Sequence, residues 1–236
     1  GGVGKSTTAA NLALALAAEG ATVGLLDADI YGPSQPMMMG IDRRPDSLDG
    51  KTMEPLVNHG VQVMSIGFLV NPDQAMIWRG PMATQALEQL LRQTHWKDVD
   101  YLVVDMPPGT GDIQLTLSQR VPITGAVIVT TPQDIALLDA RKGITMFEKV
   151  GVPILGLVEN MAVHVCSNCG HAEHIFGEGG GRRLAQELGM HYLGALPLDL
   201  KIRQQADSGQ PTVVADPQSE AAGIYRQVAR DVAARI

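Results

Sequence analysis

The sequence has 236 residues, 45% of them hydrophobic and only 4% aromatic, with a formal net charge of −7. That length and composition suit one large α/β domain, residues 1–236, with a core of aliphatic side chains. The acidic balance argues against a nucleic-acid groove as the main surface, and no apolar run approaches the ~20 residues of a membrane span.

The chain opens on Gly1-Gly2-Val3-Gly4-Lys5-Ser6-Thr7, the back half of a P-loop, G-x-x-x-x-G-K-[ST]. Glycines let the main-chain amides curl inward, because no Cβ blocks positive φ. Those amides and the N-terminus of the following helix form a nest for phosphate oxygens. Lys5 places a point charge on the β- and γ-phosphates, and the Ser6 hydroxyl is a Mg²⁺ ligand. A helix is predicted over residues 5–19, with Ala9, Leu12, Ala15 and Leu16 on one face and Gly20 as its stop. A P-loop is fed by a strand. That strand and the motif's first glycine are expected ahead of Gly1, so the sequence reads as part of a longer protein.

Residues 21–26 form a short apolar run ending in Asp27-Ala28-Asp29. This predicts a buried parallel strand delivering carboxylates at its C-terminal edge, where open α/β sheets keep their ligands. Two apart on a continuing strand, Asp27 and Asp29 share a face. One can help hold the metal or its waters, and the other can orient the attacking water. Tyr31 to Pro36 then opens a loop into a Met37-Met38-Met39 run, which suits either an adaptable surface or a core plug. Residues 52–57 and 61–69, split by Asn58-His59-Gly60, read as a hairpin. A helix is predicted from Pro81, with Leu87, Leu90 and Leu91 inward; Arg79, just before it, reads first as a solvated arginine and second as a phosphate contact.

Residues 100–106 predict a second buried strand ending at Asp105, followed by Pro107-Pro108-Gly109-Thr110-Gly111-Asp112. An apolar strand capped by aspartate is the second half of a P-loop site, its carboxylate holding Mg²⁺ through water. Residues 125–131 predict a third strand. A helix follows to about residue 150, with Ile135, Leu138, Ile144 and Phe147 inward. Residues 154–158 predict a fourth strand, ending near Asn160, which can read an adenine amide edge. A helix over 182–188, a strand over 191–196 ending at Pro197, and a last helix striped by Ile224, Tyr225, Val228 and Val232 complete the chain. The alternation implies a doubly wound, mostly parallel α/β sheet with a small β-hairpin insertion and a cysteine loop over 162–176.

That loop holds the chain's two cysteines, Cys166 and Cys169, with His164, His171 and His174 nearby. Two cysteines only, beside a nucleotide motif, point to a reducing, cytoplasmic setting. Two thiolates in C-x₂-C can clamp one metal, but a tetrahedral thiolate site or an Fe–S cluster usually wants four. Three solutions stand open. Two chains can share a Cys₄ site across a two-fold axis. Local histidines can complete a zinc site, although the spacing is tight for a zinc finger. Or the pair is a redox dithiol, although no helix start is evident here.

These motifs come in one order: the P-loop, Asp27-Ala28-Asp29-Ile30-Tyr31-Gly32-Pro33-Ser34, Asp105 to Asp112, Glu159-Asn160-Met161, Cys166-x-x-Cys169-Gly170 and Ile175-Phe176-Gly177. In that order the chain resembles the Mrp/ApbC iron–sulfur cluster carriers, a branch of the ParA/MinD-type P-loop ATPases. The resemblance implies a cytoplasmic homodimer that binds ATP and hydrolyses it slowly. It implies a [4Fe–4S] cluster held between two Cys166/Cys169 pairs. It also implies apo iron–sulfur proteins and a cluster-assembly scaffold as partners, and neither nucleic acid nor membrane. By matching position, Gly1, Gly2, Val3, Gly4, Lys5, Ser6 and Thr7 bind phosphate and Mg²⁺. Asp29 orders the hydrolytic water, Asp105 is the switch carboxylate near Mg²⁺, and Asn160 and Pro197 contact adenine. The relatives also carry a signature lysine ahead of the position of Gly1, and many carry a small N-terminal domain. The other readings of such a chain are a positioning ATPase and an ATPase with a structural zinc site.

Overall fold

A computed structural model describes residues 2–47, 49–70 and 80–236, without the side chains of residues 80, 81, 112 and 113. Gly1 and Arg79 therefore lie outside the described residues. The chain begins with α1 (Lys5–Ala18), β1 (Val23–Asp27), the single turn α2 (Gln35–Met38), β2 (Leu56–Asn58) and β3 (Val61–Ser65). A 3-10 turn (Ile66–Phe68) and α3 (Gly80–Gln93) follow. Next come β4 (Tyr101–Asp105), α4 (Asp112–Arg120), β5 (Ala126–Thr130), α5 (Asp134–Lys149) and β6 (Ile154–Glu159). A small ribbon of β7 (His164–Val165) and β8 (Ala172–Glu173) precedes α6 (Gly180–Glu187), β9 (Tyr192–Ala195), α7 (Leu200–Asp207), α8 (Thr212–Ala215) and α9 (Glu220–Ala233).

β1 runs parallel to β3 on one side and β4 on the other, so Asp27 stands in register with both Ser65 and Asp105. β5, β6 and β9 form a second parallel set. Helices alternate with these strands, which gives the mostly parallel α/β architecture that the sequence predicts. Parallel strands covered on both faces read as mainly apolar, and all five residues of both β1 and β3 are buried, the polar Asp27, Gln62 and Ser65 among them.

α1 packs on β1, β3, β4 and β5 and also against α9. Covered on two sides, it buries an unbroken run from Thr8 to Leu16 rather than one stripe. The predicted stripe of α9 meets it: Tyr225, Val228 and Val232 are buried, each such side chain contributing about 1.5–3 kcal/mol.

The hairpin forms around His59 and Gly60, both left-handed, at φ 50 and 78. Its strands are shorter than predicted, and its second strand belongs to the main sheet through its ladder with β1. The methionine run divides: Met39 is buried and Met37 exposed. The inward face assigned to α5 is corrected, because Ile135 and Leu138 are 71% and 55% exposed while Ala140 and Ile144 are buried. Leu137 is the residue of the first turn that packs on the core, so the inward face runs through Leu137, Ala140 and Ile144 and leaves Ile135 and Leu138 outside. Within the cysteine loop, His164–Val165 and Ala172–Glu173 pair as a two-residue antiparallel ribbon whose connecting turn carries both cysteines.

Candidate nucleotide site and cysteine ribbon

The loop before α1 needs glycine. Gly2 and Gly4 have φ of 86 and 85, a region that costs other L residues strain. A Cβ at Gly4 would also lie 2.1 Å from Nδ2 of Asn160. That close approach exists because Asn160 Nδ2 donates to Val3 O at 2.8 Å. The end of β6 is fixed from behind: buried Glu159 accepts from the Gly181 amide and, at 3.5 Å, from the Tyr192 hydroxyl. Gly4→Ala is therefore expected to cost on the order of 1–3 kcal/mol and to weaken nucleotide binding. Thermal melting and nucleotide titration check this, and a variant matching the parent in both would contradict it.

Lys5 and Asp105 meet at the C-terminal edge of the sheet. Lys5 Nζ lies 2.5 Å from Asp105 Oδ1 and 3.3 Å from Ser6 Oγ. The other oxygen, Asp105 Oδ2, accepts from Gln35 Nε2 at 2.9 Å, and the same Nε2 donates to Ser6 O at 3.0 Å. Thr7 stays in the first turn of α1, its carbonyl accepting from Asn11 at 3.0 Å.

Asp27 and Asp29 do not share a face, because the strand ends at Asp27. Asp27 turns inward. Its Oδ2 accepts from the Ser34 and Gln35 amides at 3.0 Å and from the Ser65 hydroxyl at 3.1 Å, while Oδ1 accepts from the Asp29 amide at 3.1 Å. Burial, reinforced by the charge of Asp105, pushes Asp27 up to about 7 in spite of those donors. Half-buried Asp29 is raised too, mainly by burial; its Oδ1 accepts from the Gly32 amide at 3.2 Å.

A folded-state pKa above the unfolded one means that the folded chain holds the Asp27 proton more tightly. The stabilisation is full below about 4, the unfolded value, and is lost as pH rises through about 7. Asp27→Asn is expected to flatten this fall in the nucleotide-free protein, read from urea midpoints across the range; an unchanged slope would contradict it.

The adenine candidates also converge. Leu196 N donates to Glu159 O at 2.8 Å, Ala162 N to Leu196 O at 2.9 Å and Leu198 N to Val163 O at 2.8 Å. Pro197 therefore runs beside Asn160. A cavity of about 220 Å³ borders Pro197, Asp199, Lys201 and the ribbon residue Val165.

The ribbon continues that same ladder. Cys166 N donates to His171 O at 2.9 Å and Gly170 N to Cys166 O at 2.8 Å, closing a turn that carries both cysteines. Both are free thiols, with Cys169 exposed. The amides of Asn168 and Cys169 and the Cys169 side chain hold the Cys166 thiol below its usual value, and His164 adds a smaller electrostatic pull. Two histidines are engaged elsewhere: His164 Nδ1 lies 3.0 Å from Leu198 O and His174 Nδ1 2.8 Å from Ala162 O. Among the described residues, no group of three or more His, Cys, Asp or Glu is placed to hold a metal ion.

Two buried residues of this region escape sequence reasoning. Glu159 stands in Glu159-Asn160-Met161 only as the neighbour of Asn160, with no role read for it, and Gln35 reads as part of a proline-flanked loop although it opens α2.

Among known proteins, the iron–sulfur cluster carrier proteins of Pseudomonas fragi and Escherichia coli K12 are 65% and 63% identical to this chain over 97% and 100% of its length. The chain spans 80% of the first and 64% of the second. The mouse iron–sulfur cluster transfer protein NUBPL is 56% identical over 100% of this chain and 75% of its own. A nucleotide-binding protein from Archaeoglobus fulgidus, solved in complex with ADP, matches with a TM-score of 0.81 at 36% identity, covering 95% of this chain and 88% of that one. The cell-division ATPase MinD of Pyrococcus furiosus shares the fold, with a TM-score of 0.73 at 22% identity over 99% of this chain and 94% of its own. The ParA family, described as NUBPL iron-transfer P-loop NTPase, matches residues 1–233. The chain belongs to that family of P-loop NTPases.

Proposed function

We propose that this chain binds and slowly hydrolyses ATP and, as a cytoplasmic homodimer, carries a [4Fe–4S] cluster from an assembly scaffold to apo-proteins. The observation that carries the reading is the cysteine ribbon, which follows directly on a segment tied to residues 196–198 by main-chain hydrogen bonds and to the P-loop by the Asn160 side chain. Relatives named as cluster carriers support it.

The phosphate nest of Gly2 to Thr7 takes the triphosphate. Lys5 must leave Asp105 to reach the phosphates, so nucleotide binding exchanges one ion pair for another. The donor set fits Mg²⁺, a hard cation that prefers oxygen ligands and keeps several waters. Ser6 Oγ and Asp105 would hold it. Buried Ser34 Oγ and Gln35 Oε1 have no hydrogen-bond partner among the described residues, which suits a site completed by a hydrated ion. When bound, Mg²⁺ neutralises charge on the phosphates. Asp29 orients the attacking water, and Asn160 and Pro197 frame the adenine.

The cluster is cargo. One ribbon supplies two thiolates, and a second chain supplies the other two. Exposed apolar residues favour pairing on this edge: Ile135, Leu138, Val165, Ile175 and Leu200 all lie in segments that leave the C-terminal ends of strands.

Anaerobic reconstitution with iron and sulfide tests the reading. A brown dimer with about four irons is expected. A colourless protein holding zinc, or an iron-free monomer, would overturn it.

A further inference from the structure

We propose that Gln35 is a positioning residue for nucleotide hydrolysis: its amide fixes the Asp105 carboxylate against the P-loop, and its Oε1 accepts a hydrogen bond from a magnesium-bound water. The proposal rests on the Mg²⁺–nucleotide reading above.

Gln35 is fully buried and touches three functional parts at once. Its main-chain N–H donates to Asp27 Oδ2 at 3.0 Å. Its Nε2 donates to Ser6 O at 3.0 Å and to Asp105 Oδ2 at 2.9 Å. Both partners of Nε2 are pure acceptors, so the amide cannot be turned over and its two donors are spent. Among the described residues, Oε1 is left buried without a partner, and so is Ser34 Oγ one residue earlier. A glutamine that served only to stitch the α2 turn to the sheet would leave an acceptor whose desolvation is uncompensated. The missing donor must arrive with something that enters the Ser6–Asp105 cleft. Lys5 donates to Asp105 without nucleotide and turns to the phosphates with it, and the phosphates bring only acceptors. Water on a divalent cation is the strong donor that remains.

The chemistry follows from the wiring. With Lys5 drawn to the phosphates, Gln35 becomes the side chain that keeps Asp105 aimed at the metal's waters. Its Oε1 would hold one of those waters, so one amide would position both the carboxylate and the hydrated ion.

Gln35→Met keeps the volume and removes the amide. Fluorescence titration with a labelled ADP, in EDTA and in Mg²⁺, separates the two roles. The EDTA affinity is expected to be unchanged, while the tightening by Mg²⁺ shrinks about tenfold, one hydrogen bond to a charged group. Raised Mg²⁺ should restore part of kcat. An equal loss in both conditions, with a lowered melting temperature, means a merely structural glutamine and overturns the proposal. Wild-type protein that binds no nucleotide in either condition sinks the nucleotide reading instead. Should Gln35→Met fail to fold, the wild-type chain decides by NMR. The Gln35 side-chain amide is expected to shift with ADP and Mg²⁺ but not with ADP and EDTA, and the absence of a Mg²⁺-specific shift overturns the assignment.

Discussion

Replacing Cys166 with serine is expected to abolish iron retention after anaerobic reconstitution while leaving the fold intact. The thiolate is the ligand for iron, and a serine hydroxyl is not ionised near neutral pH. Cys166 is the more telling of the pair because neighbouring amides, first that of Asn168, favour its charged form. The turn itself does not depend on sulfur. The bonds from Cys166 N to His171 O and from Gly170 N to Cys166 O are main-chain bonds, and the substitution keeps both. Stability should therefore stay within about 0.5 kcal/mol of the parent, as for most changes near a surface. Iron counting and thermal melting on the same sample read the two effects. Full iron content in the serine variant would remove the ribbon from the cargo site.

Lys5→Ala is expected to act on both nucleotide and fold. Hydrolysis should fall by about 10²–10³-fold, the usual scale for one lost charge-stabilising group. The nucleotide-free protein should also lose on the order of 1–3 kcal/mol, because a buried carboxylate is left with fewer partners. Asp105 has no exposed side-chain surface, whereas Lys5 is 30% exposed. The loss therefore lies below that of a fully buried pair. Gln35 still donates to Asp105, which prevents complete orphaning. Steady-state turnover and urea unfolding without nucleotide check the two numbers. A variant with normal turnover would mean that Lys5 does not act on the phosphates.

Much of the architecture is legible in the sequence because local and global signals agree there. The P-loop glycines, Lys5 and the helix after them form one pattern, and the apolar runs into Asp27, Asp105 and Asn160 read as strands. Elsewhere the signal is ambiguous. Val61 to Ser65 is buried on both faces although it carries Gln62 and Ser65, so its parallel pairing with β1 is hidden behind a hairpin turn. Ile135 and Leu138 sit at helical spacing but face outward, and periodicity alone cannot tell a core from an unpartnered edge. The ribbon strands have two residues each, with polar Glu173 among them, too short for any pattern. Neither α4, α7 nor α8 is marked by a clear periodic stripe. At the site, motif residues are found by motif. Gln35 and Glu159 act through burial and hydrogen bonds to residues distant in sequence, which only three-dimensional proximity reveals.

In the proposed carrier, the nucleotide site governs what the thiols hold. Coupling free energies of this kind usually correspond to about fivefold or more. The direct measurement is the rate at which a reconstituted, cluster-loaded dimer passes its cluster to an apo ferredoxin, with ATP and Mg²⁺ and without nucleotide. The account predicts transfer to the acceptor at rates that differ by at least that factor. Identical rates in both conditions, or a cluster that never leaves the dimer, would contradict it.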